Sequence, residues 1–216
     1  AVLAVLLLGC GELRAVGIVV PDAMNRLFWE RLVSVTMRIS TSDGWGSGVL
    51  ISDGRVLTAH HVIDKDSSVR VFRTMLMPDG HFRAGEMLFT DVIGRVPEHD
   101  LALLKIRFAS ADLPAAPLGD SSRLRTGDLV YRLGWADDVW MTYGRVGSLD
   151  FVWKGGRYFE LKTVGGDGNS GGPVFNAKGE VVGIAAVAGC LPGGWRCRYP
   201  NYAVPINYAR ETLLRP

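Results

Sequence analysis

Val33-Ser34-Val35-Thr36-Met37-Arg38-Ile39-Ser40 alternates apolar and polar side chains with a period of two, the pattern of a strand with one face buried and the other wet. Short strand candidates follow it to the end of the chain: Gly48 to Ile51, Arg55 to Thr58, Ser68 to Arg73, Glu86 to Val96, Leu101 to Ile106, Leu129 to Gly134, Arg145 to Leu149, Tyr158 to Lys162, Val181 to Val187 and Tyr202 to Val204. Asp53-Gly54, Pro78-Asp79-Gly80 and Lys178-Gly179 supply turns between several of them. Helical periodicity is confined to the two ends. Pro21-Asp22 opens a segment with Met24, Leu27, Phe28 and Leu32 on one face, and Asn207 is placed to cap a stretch reaching Leu214. Strands this short at this spacing predict an all-β fold of antiparallel barrels or sandwiches, not a βαβ fold. Ala109 to Leu118, with two prolines and three further alanines, reads as a connector near the middle.

Composition agrees with a folded domain. The 216 residues are 48% hydrophobic and 9% aromatic, enough to bury a core, and 27 glycines favour tight turns over long helices. Lys and Arg total 24 against 22 Asp and Glu, a net charge of +2, and the charges are scattered, so no basic stripe exists to neutralise a row of phosphates. Nucleic acid is therefore not an expected partner. The longest apolar run, Ala1 to Leu8, falls far short of the roughly 20 residues of a bilayer-spanning helix.

Three segments stand apart from the strand pattern. Leu57-Thr58-Ala59-His60-His61-Val62 ends a predicted strand after the glycine-rich Gly46-Ser47-Gly48. His99-Asp100-Leu101-Ala102-Leu103-Leu104-Lys105 brings an acidic residue into an apolar strand, and Gly168-Asn169-Ser170-Gly171-Gly172-Pro173 sets a serine in the tightest glycine cluster of the chain. A serine hydroxyl attacks an amide only when a base removes its proton and a carboxylate holds that base in the right tautomer. Histidine, aspartate and serine are all present. Glycines beside the serine let two backbone N–H groups converge on a developing oxyanion, and Gly168 and Ser170 are the expected donors.

These motifs resemble those of chymotrypsin-fold (trypsin-like) serine proteases: Thr58-Ala59-His60-His61-Val62 their histidine motif, Asp100-Leu101-Ala102-Leu103-Leu104 their aspartate strand, and Gly168 to Pro173 their nucleophile loop, in that family's order. The high-temperature-requirement (HtrA-like) bacterial branch is the nearer match, through Gly46-Ser47-Gly48-Val49-Leu50, Pro117-Leu118-Gly119-Asp120-Ser121 and Tyr202-Ala203-Val204-Pro205-Ile206-Asn207. The resemblance implies two six-stranded antiparallel β-barrels flanked by short N- and C-terminal helices, with the active site in the cleft between the barrels. The expected division is residues 1–10 as a signal or lipobox segment, 11–32 as leash and helix, 33–110 and 111–205 as the barrels, and 206–216 as the C-terminal helix. His61, Asp100 and Ser170 are then the catalytic residues, and a peptide substrate binds as an added β-strand. HtrA-like members usually continue into PDZ domains; none follows in this sequence, so regulation through one is not expected. Asn169 stands where the digestive branch has an aspartate that captures a new N-terminus, so zymogen cleavage is not expected either. No cofactor and no metal are implied.

Carried over position by position, the base of the primary pocket is Val164, six residues before Ser170, and its wall is Ala186-Val187-Ala188. With no carboxylate at the base, cleavage is expected after small or medium aliphatic residues. His60, His81 and His99 read as neighbouring or surface histidines, and Asp167 as an exposed loop carboxylate. The alternative function is a silent protease-fold scaffold. An α/β-hydrolase is excluded by order, because that fold places its nucleophile first, on a Gly-x-Ser-x-Gly elbow.

AVLAVLLLGC at the start has the apolarity of a signal-peptide core without its basic flank, and Leu7-Leu8-Gly9-Cys10 resembles the lipobox of bacterial lipoproteins. That implies export to the bacterial envelope, with lipidated Cys10 anchoring the protein to a membrane surface; ordinary secretion is the alternative. The remaining two of the three cysteines, Cys190 and Cys197, flank Leu-Pro-Gly-Gly-Trp-Arg, short enough for a disulfide, with two free thiols as the alternative.

Overall fold

The computed structural model describes residues 3–5, 16–18, 23–64, 69–78, 80–109, 113–135, 138–153, 155–163, 165–166, 168–188 and 201–215. Strands β1 (Leu3–Val5) and β2 (Val16–Ile18) pair with each other, and helix α1 (Ala23–Ser34) leads into the first large sheet. That sheet holds β3 (Thr36–Ser40), β4 (Trp45–Ile51), β5 (Arg55–Thr58), β6 (Arg70–Leu76), β7 (Phe82–Leu88), β8 (Thr90–Val96) and β9 (Leu101–Ile106), in the order β7-β6-β3-β4-β5-β9-β8. Helix α2 (His60–Ile63) follows β5. Its two edges, β7 and β8, are separated in sequence by Phe89 alone, so one bent strand serves both edges and the sheet rolls up. Counting that strand once gives six.

The second sheet holds β10 (Leu129–Trp135), β11 (Val139–Val146), β12 (Phe151–Trp153), β13 (Gly156–Lys162), β14 (Pro173–Asn176), β15 (Val181–Ala188) and β16 (Asn201–Pro205). Its order is β11-β10-β14-β15-β16-β13-β12, and β11 also pairs with β13, which closes a six-stranded barrel with β12 as an appendage. Helix α3 (Ile206–Thr212) follows β16. The fold is all-β, with two antiparallel six-stranded units of the chymotrypsin type and short helices at the ends.

Val33 and Ser34 depart from the expected strand. They finish α1, and pairing starts at Thr36, opposite Val49. Burial drives both outcomes equally: Leu32, Val33 and Val35 all enter the core, and Thr36 Oγ1 donates to the Leu32 carbonyl left open at the helix end (2.9 Å). Of the expected Arg145 to Leu149 strand, Arg145 and Val146 end the longer β11, and Gly147 to Leu149 lie beyond it.

Apolar side chains separate into three clusters. Met37, Ile39, Leu50, Val56 and Leu104 fill the first barrel, and Val130, Phe159, Leu161, Val174 and Val182 fill the second. The third joins them, with Val49, Leu57, Leu101 and Leu103 meeting Leu133, Phe175, Ile184 and Val204, closed by Leu32 of α1 and Ile206 of α3. Strand β9 thus buries both faces, Leu101 and Leu103 outward to the second barrel and Ala102 and Leu104 inward, which is why Leu101 to Leu104 reads as an unbroken apolar run. Full burial of such side chains stabilises by about 1.5–3 kcal/mol each, so the two barrels are held as one body.

Candidate active site

Two short turns at the barrel junction set the geometry. The 3₁₀ turn Pro97–His99 delivers Asp100 with φ of 50° and ψ of 44°, a left-handed conformation that aspartate tolerates better than most residues. Turned this way, Asp100 meets the start of α2 with three acceptors. Its carbonyl receives the His60 N–H (3.0 Å), Oδ1 receives the His61 N–H (2.9 Å), and Oδ2 lies 2.8 Å from His61 Nδ1. An ionised carboxylate only accepts, so Nδ1 carries the proton and Nε2 is left basic. The Asp100 side chain is 13% exposed and that of His61 44%, so the carboxylate is sheltered while the imidazole reaches the surface. His60 meets Asp100 through its backbone alone, which separates the two adjacent histidines.

Ser170 arrives from the second barrel on a loop that fits tightly against the first. Gly168 and Gly171 have φ of 83° and 81°, and a methyl group on Gly171 would overlap the Ser47 carbonyl and Thr58 Oγ1. The loop rests on β15 through Gly171 N–H to Ala185 C=O (2.7 Å) and Ala185 N–H to Gly172 C=O (2.8 Å). A methyl on Gly46 would fall 2.7 Å from Val62 Cγ1 and 3.0 Å from the Ser170 carbonyl, so Ser170 and the residue after His61 meet at Gly46. The structure therefore brings His61, Asp100 and Ser170 to one place. The N–H groups of Gly168 and Ser170 donate to no backbone carbonyl among the described residues.

Ser47, fully buried, stitches the arrangement. Its N–H donates to the Ser170 carbonyl (2.8 Å) and its hydroxyl to the Gly168 carbonyl (2.7 Å), while Oγ accepts from the Trp135 N–H (2.7 Å). Thr58 Oγ1 donates to the Ser47 carbonyl (2.7 Å). Sequence reasoning singled out the Gly46-Ser47-Gly48 motif without assigning the serine a role.

A second group escaped notice altogether. Arg132 is 3% exposed in β10; its Nη1 donates to Asn201 Oδ1 (3.2 Å), and Asn201 Nδ2 donates to the Thr163 carbonyl (2.8 Å). Burial pulls the guanidinium well below its ordinary value, to about 10, still cationic at neutral pH. The one available signal was a charge interrupting the apolar Leu129-Val130-Tyr131-Arg132-Leu133.

Of the remaining expected site residues, Ala186 is buried on β15, whose backbone runs on through Val187 and Ala188 with a register shift against β16 between Ala185 and Ala188. Val164, Asp167, Cys10, Cys190 and Cys197 lie outside the described residues, as do the side chains of Val187 and Ala188. Among the described residues no helix is long and apolar enough to cross a membrane, and no group of three or more His, Cys, Asp or Glu is placed to hold a metal ion.

Residues 46–184 match the family model of the trypsin-like peptidase domain. The chain belongs to that family. It is 32% identical over 202 residues to the putative serine protease HhoA of Synechocystis sp., covering 89% of this chain and 48% of that protein. It is 36% identical over 174 residues to a probable periplasmic serine endoprotease DegP-like of Marinomonas sp., covering 78% of this chain and 34% of that protein. The chain thus spans about half or less of these relatives. Among solved structures, the HtrA-type protease AlgW with tripeptide superposes with a TM-score of 0.73 and 25% identity, covering 90% of this chain and 63% of that one. The domain is a chymotrypsin-fold peptidase domain of the HtrA-like kind.

Proposed function

We propose that this chain is a serine endopeptidase that hydrolyses peptide bonds through an acyl-enzyme. The observation that carries the reading is the two-pronged grip of Asp100 on His61, with Ser170 brought to the same junction at Gly46. Ser170 Oγ attacks the carbonyl carbon as His61 Nε2 takes its proton; the collapsing intermediate expels the amine, which receives that proton, and leaves an ester on Ser170. Water then repeats the sequence, with His61 again as base, and releases the acid and free Ser170. Asp100 stays ionised and holds the imidazolium. The N–H groups of Gly168 and Ser170, free of backbone acceptors among the described residues, hold the oxyanion.

The substrate is an extended peptide laid beside β15 near Ala186 to Ala188, where pairing with β16 is interrupted. The HtrA-type protease AlgW has been solved with a tripeptide, which supports a peptide as the bound partner. The small or medium aliphatic preference rests on Val164 at the base of the primary pocket and Ala186 to Ala188 on its wall; the buried Arg132, which that reading did not include, favours an acidic residue instead. Relatives named as periplasmic serine endoproteases support export to the bacterial envelope; a role in protein processing or quality control there, Cys10 as lipid anchor and Cys190–Cys197 as a disulfide rest on the sequence alone.

The test is Ser170→Ala in the full chain. Labelling by a fluorophosphonate should vanish and cleavage of a denatured protein should fall by roughly 10³-fold or more. Undiminished proteolysis in that variant refutes the assignment, and a wild type that neither labels nor cleaves makes the chain a scaffold.

A further inference from the structure

No acid among the described residues meets the buried cation Arg132. Among the described residues its hydrogen-bond partner is the neutral Asn201, its Nε has none, and Thr163 Oγ1, on the segment that Asn201 grips, has none either. Removing a guanidinium from water is costly unless an anion compensates, and each orphaned polar atom adds to that cost. Such a group is retained against that cost where something anionic completes it.

Its position says what. Arg132 and Gly134 are two apart on β10 and share a face. Gly134 lies against Asn169, a methyl there falling 2.7 Å from the Asn169 Cα, so the guanidinium sits on the face that the nucleophile loop covers. Gly165, five residues before Ser170, passes so closely over Arg132 Nη1 and Asn201 Oδ1 that a methyl group on it would overlap both. Asn201 in turn stands opposite Ala188 in the β15–β16 register, on the strand beside which the peptide is placed. The cation is thus walled by the segment preceding Ser170 on one side and by the substrate-binding strand pair on the other.

We infer that Arg132, with Asn201 and Thr163, forms a carboxylate-binding floor to the primary pocket, so that the enzyme cuts preferentially after acidic residues. This rests on the endopeptidase reading above. A glutamate before the scissile bond supplies the missing anion, its carboxylate on the guanidinium. A valine leaves the cation unpaired, and a lysine adds like charge. Pockets built to hydrogen-bond a group discriminate strongly against analogues lacking it, in contrast to the graded preference of an apolar slot.

The experiment measures kcat/KM of the full chain on quenched peptides differing only at the residue before the scissile bond: Glu, Gln, Val and Lys. Glu should exceed Gln, its neutral isostere, by at least about tenfold, and Arg132→Met should bring that ratio to within about threefold of one while Ser170 still labels with fluorophosphonate. A wild type that cuts after Gln or Val as well as after Glu overturns the inference. So does a Glu preference that survives in Arg132→Met, or a flat profile across the four peptides. The wild-type ratio decides the matter even if the variant fails to fold. A chain that labels and cleaves without acidic preference sinks the floor alone; one that neither labels nor cleaves sinks the endopeptidase reading with it.

Discussion

Replacing Ser47 by alanine removes a single oxygen and tests whether the second barrel's loop is tuned from the first. Ser47 Oγ lies 2.7 Å from both the Gly168 carbonyl and the Trp135 nitrogen, with no exposure to water. Truncation leaves an acceptor and a donor buried and unpaired. At about 1–3 kcal/mol each, with partial relaxation, the cost is roughly 2–4 kcal/mol. For a chain of this length that lowers Tm by roughly 5–15 °C. The Ser47 N–H still holds the Ser170 carbonyl, so the nucleophile keeps a tether while Gly168 loses its own. Deleting an oxyanion donor outright costs about 10²–10³ in kcat, so a donor merely loosened should cost about 10–100-fold, with KM little changed because the ground state does not use it. Thermal unfolding and peptide kinetics on the same preparation read both numbers. A Tm within about 1 °C of wild type refutes the burial bookkeeping. A kcat within about twofold despite a lowered Tm refutes any catalytic part for the hydroxyl.

Three further outcomes follow from the geometry. Asp100→Asn keeps the left-handed backbone, which asparagine also tolerates, but presents Nδ1 with the wrong tautomer; kcat should fall about 10⁴-fold with Tm nearly unchanged, and steady-state kinetics beside a melting curve check it. Gly171→Ala forces a side chain into positive φ against Ser47 and Thr58, and should destabilise by several kcal/mol, of the order of 3 or more, as read by urea unfolding. Asp120 is held down to about 2 by the Ser122 hydroxyl, Asn207 Nδ2 and the Ser122 N–H. A carboxylate depressed on folding stabilises above its unfolded value near 3.9 and loses that contribution as pH falls toward about 2, so wild type should lose stability more steeply over that window than Asp120→Asn in acid unfolding series.

Local patterns carried much of this into the sequence. Period-two alternation and turn dipeptides located most strands, and the order of the His61, Asp100 and Ser170 segments located the junction, because each is a property of a few neighbouring residues. Glu86 to Val96 read as one strand, and in a rolled sheet it is one strand bent at Phe89; its bend depends on which strands it pairs with, a long-range fact. Val33 was misplaced because an apolar residue satisfies a helix face and a strand face equally. Ser47 and Arg132 escaped for a deeper reason. The partner of Ser47 Oγ is 121 residues away and that of Arg132 is 69 away, and neighbours in the chain do not say where a buried polar atom finds its acceptor.

The division of labour between barrels makes the chain a coincidence detector. The proposed base and orienting acid reside on one half, the proposed nucleophile and oxyanion donors on the other, and the apolar Leu57, Leu101, Leu133 and Phe175 layer joins the two halves. Broken between Ile106 and Ala116, the two fragments would each be chemically mute, and hydrolysis would report only their reunion. Fused to a pair of associating proteins, they would form a split reporter whose background is set by how far that shared layer is thinned.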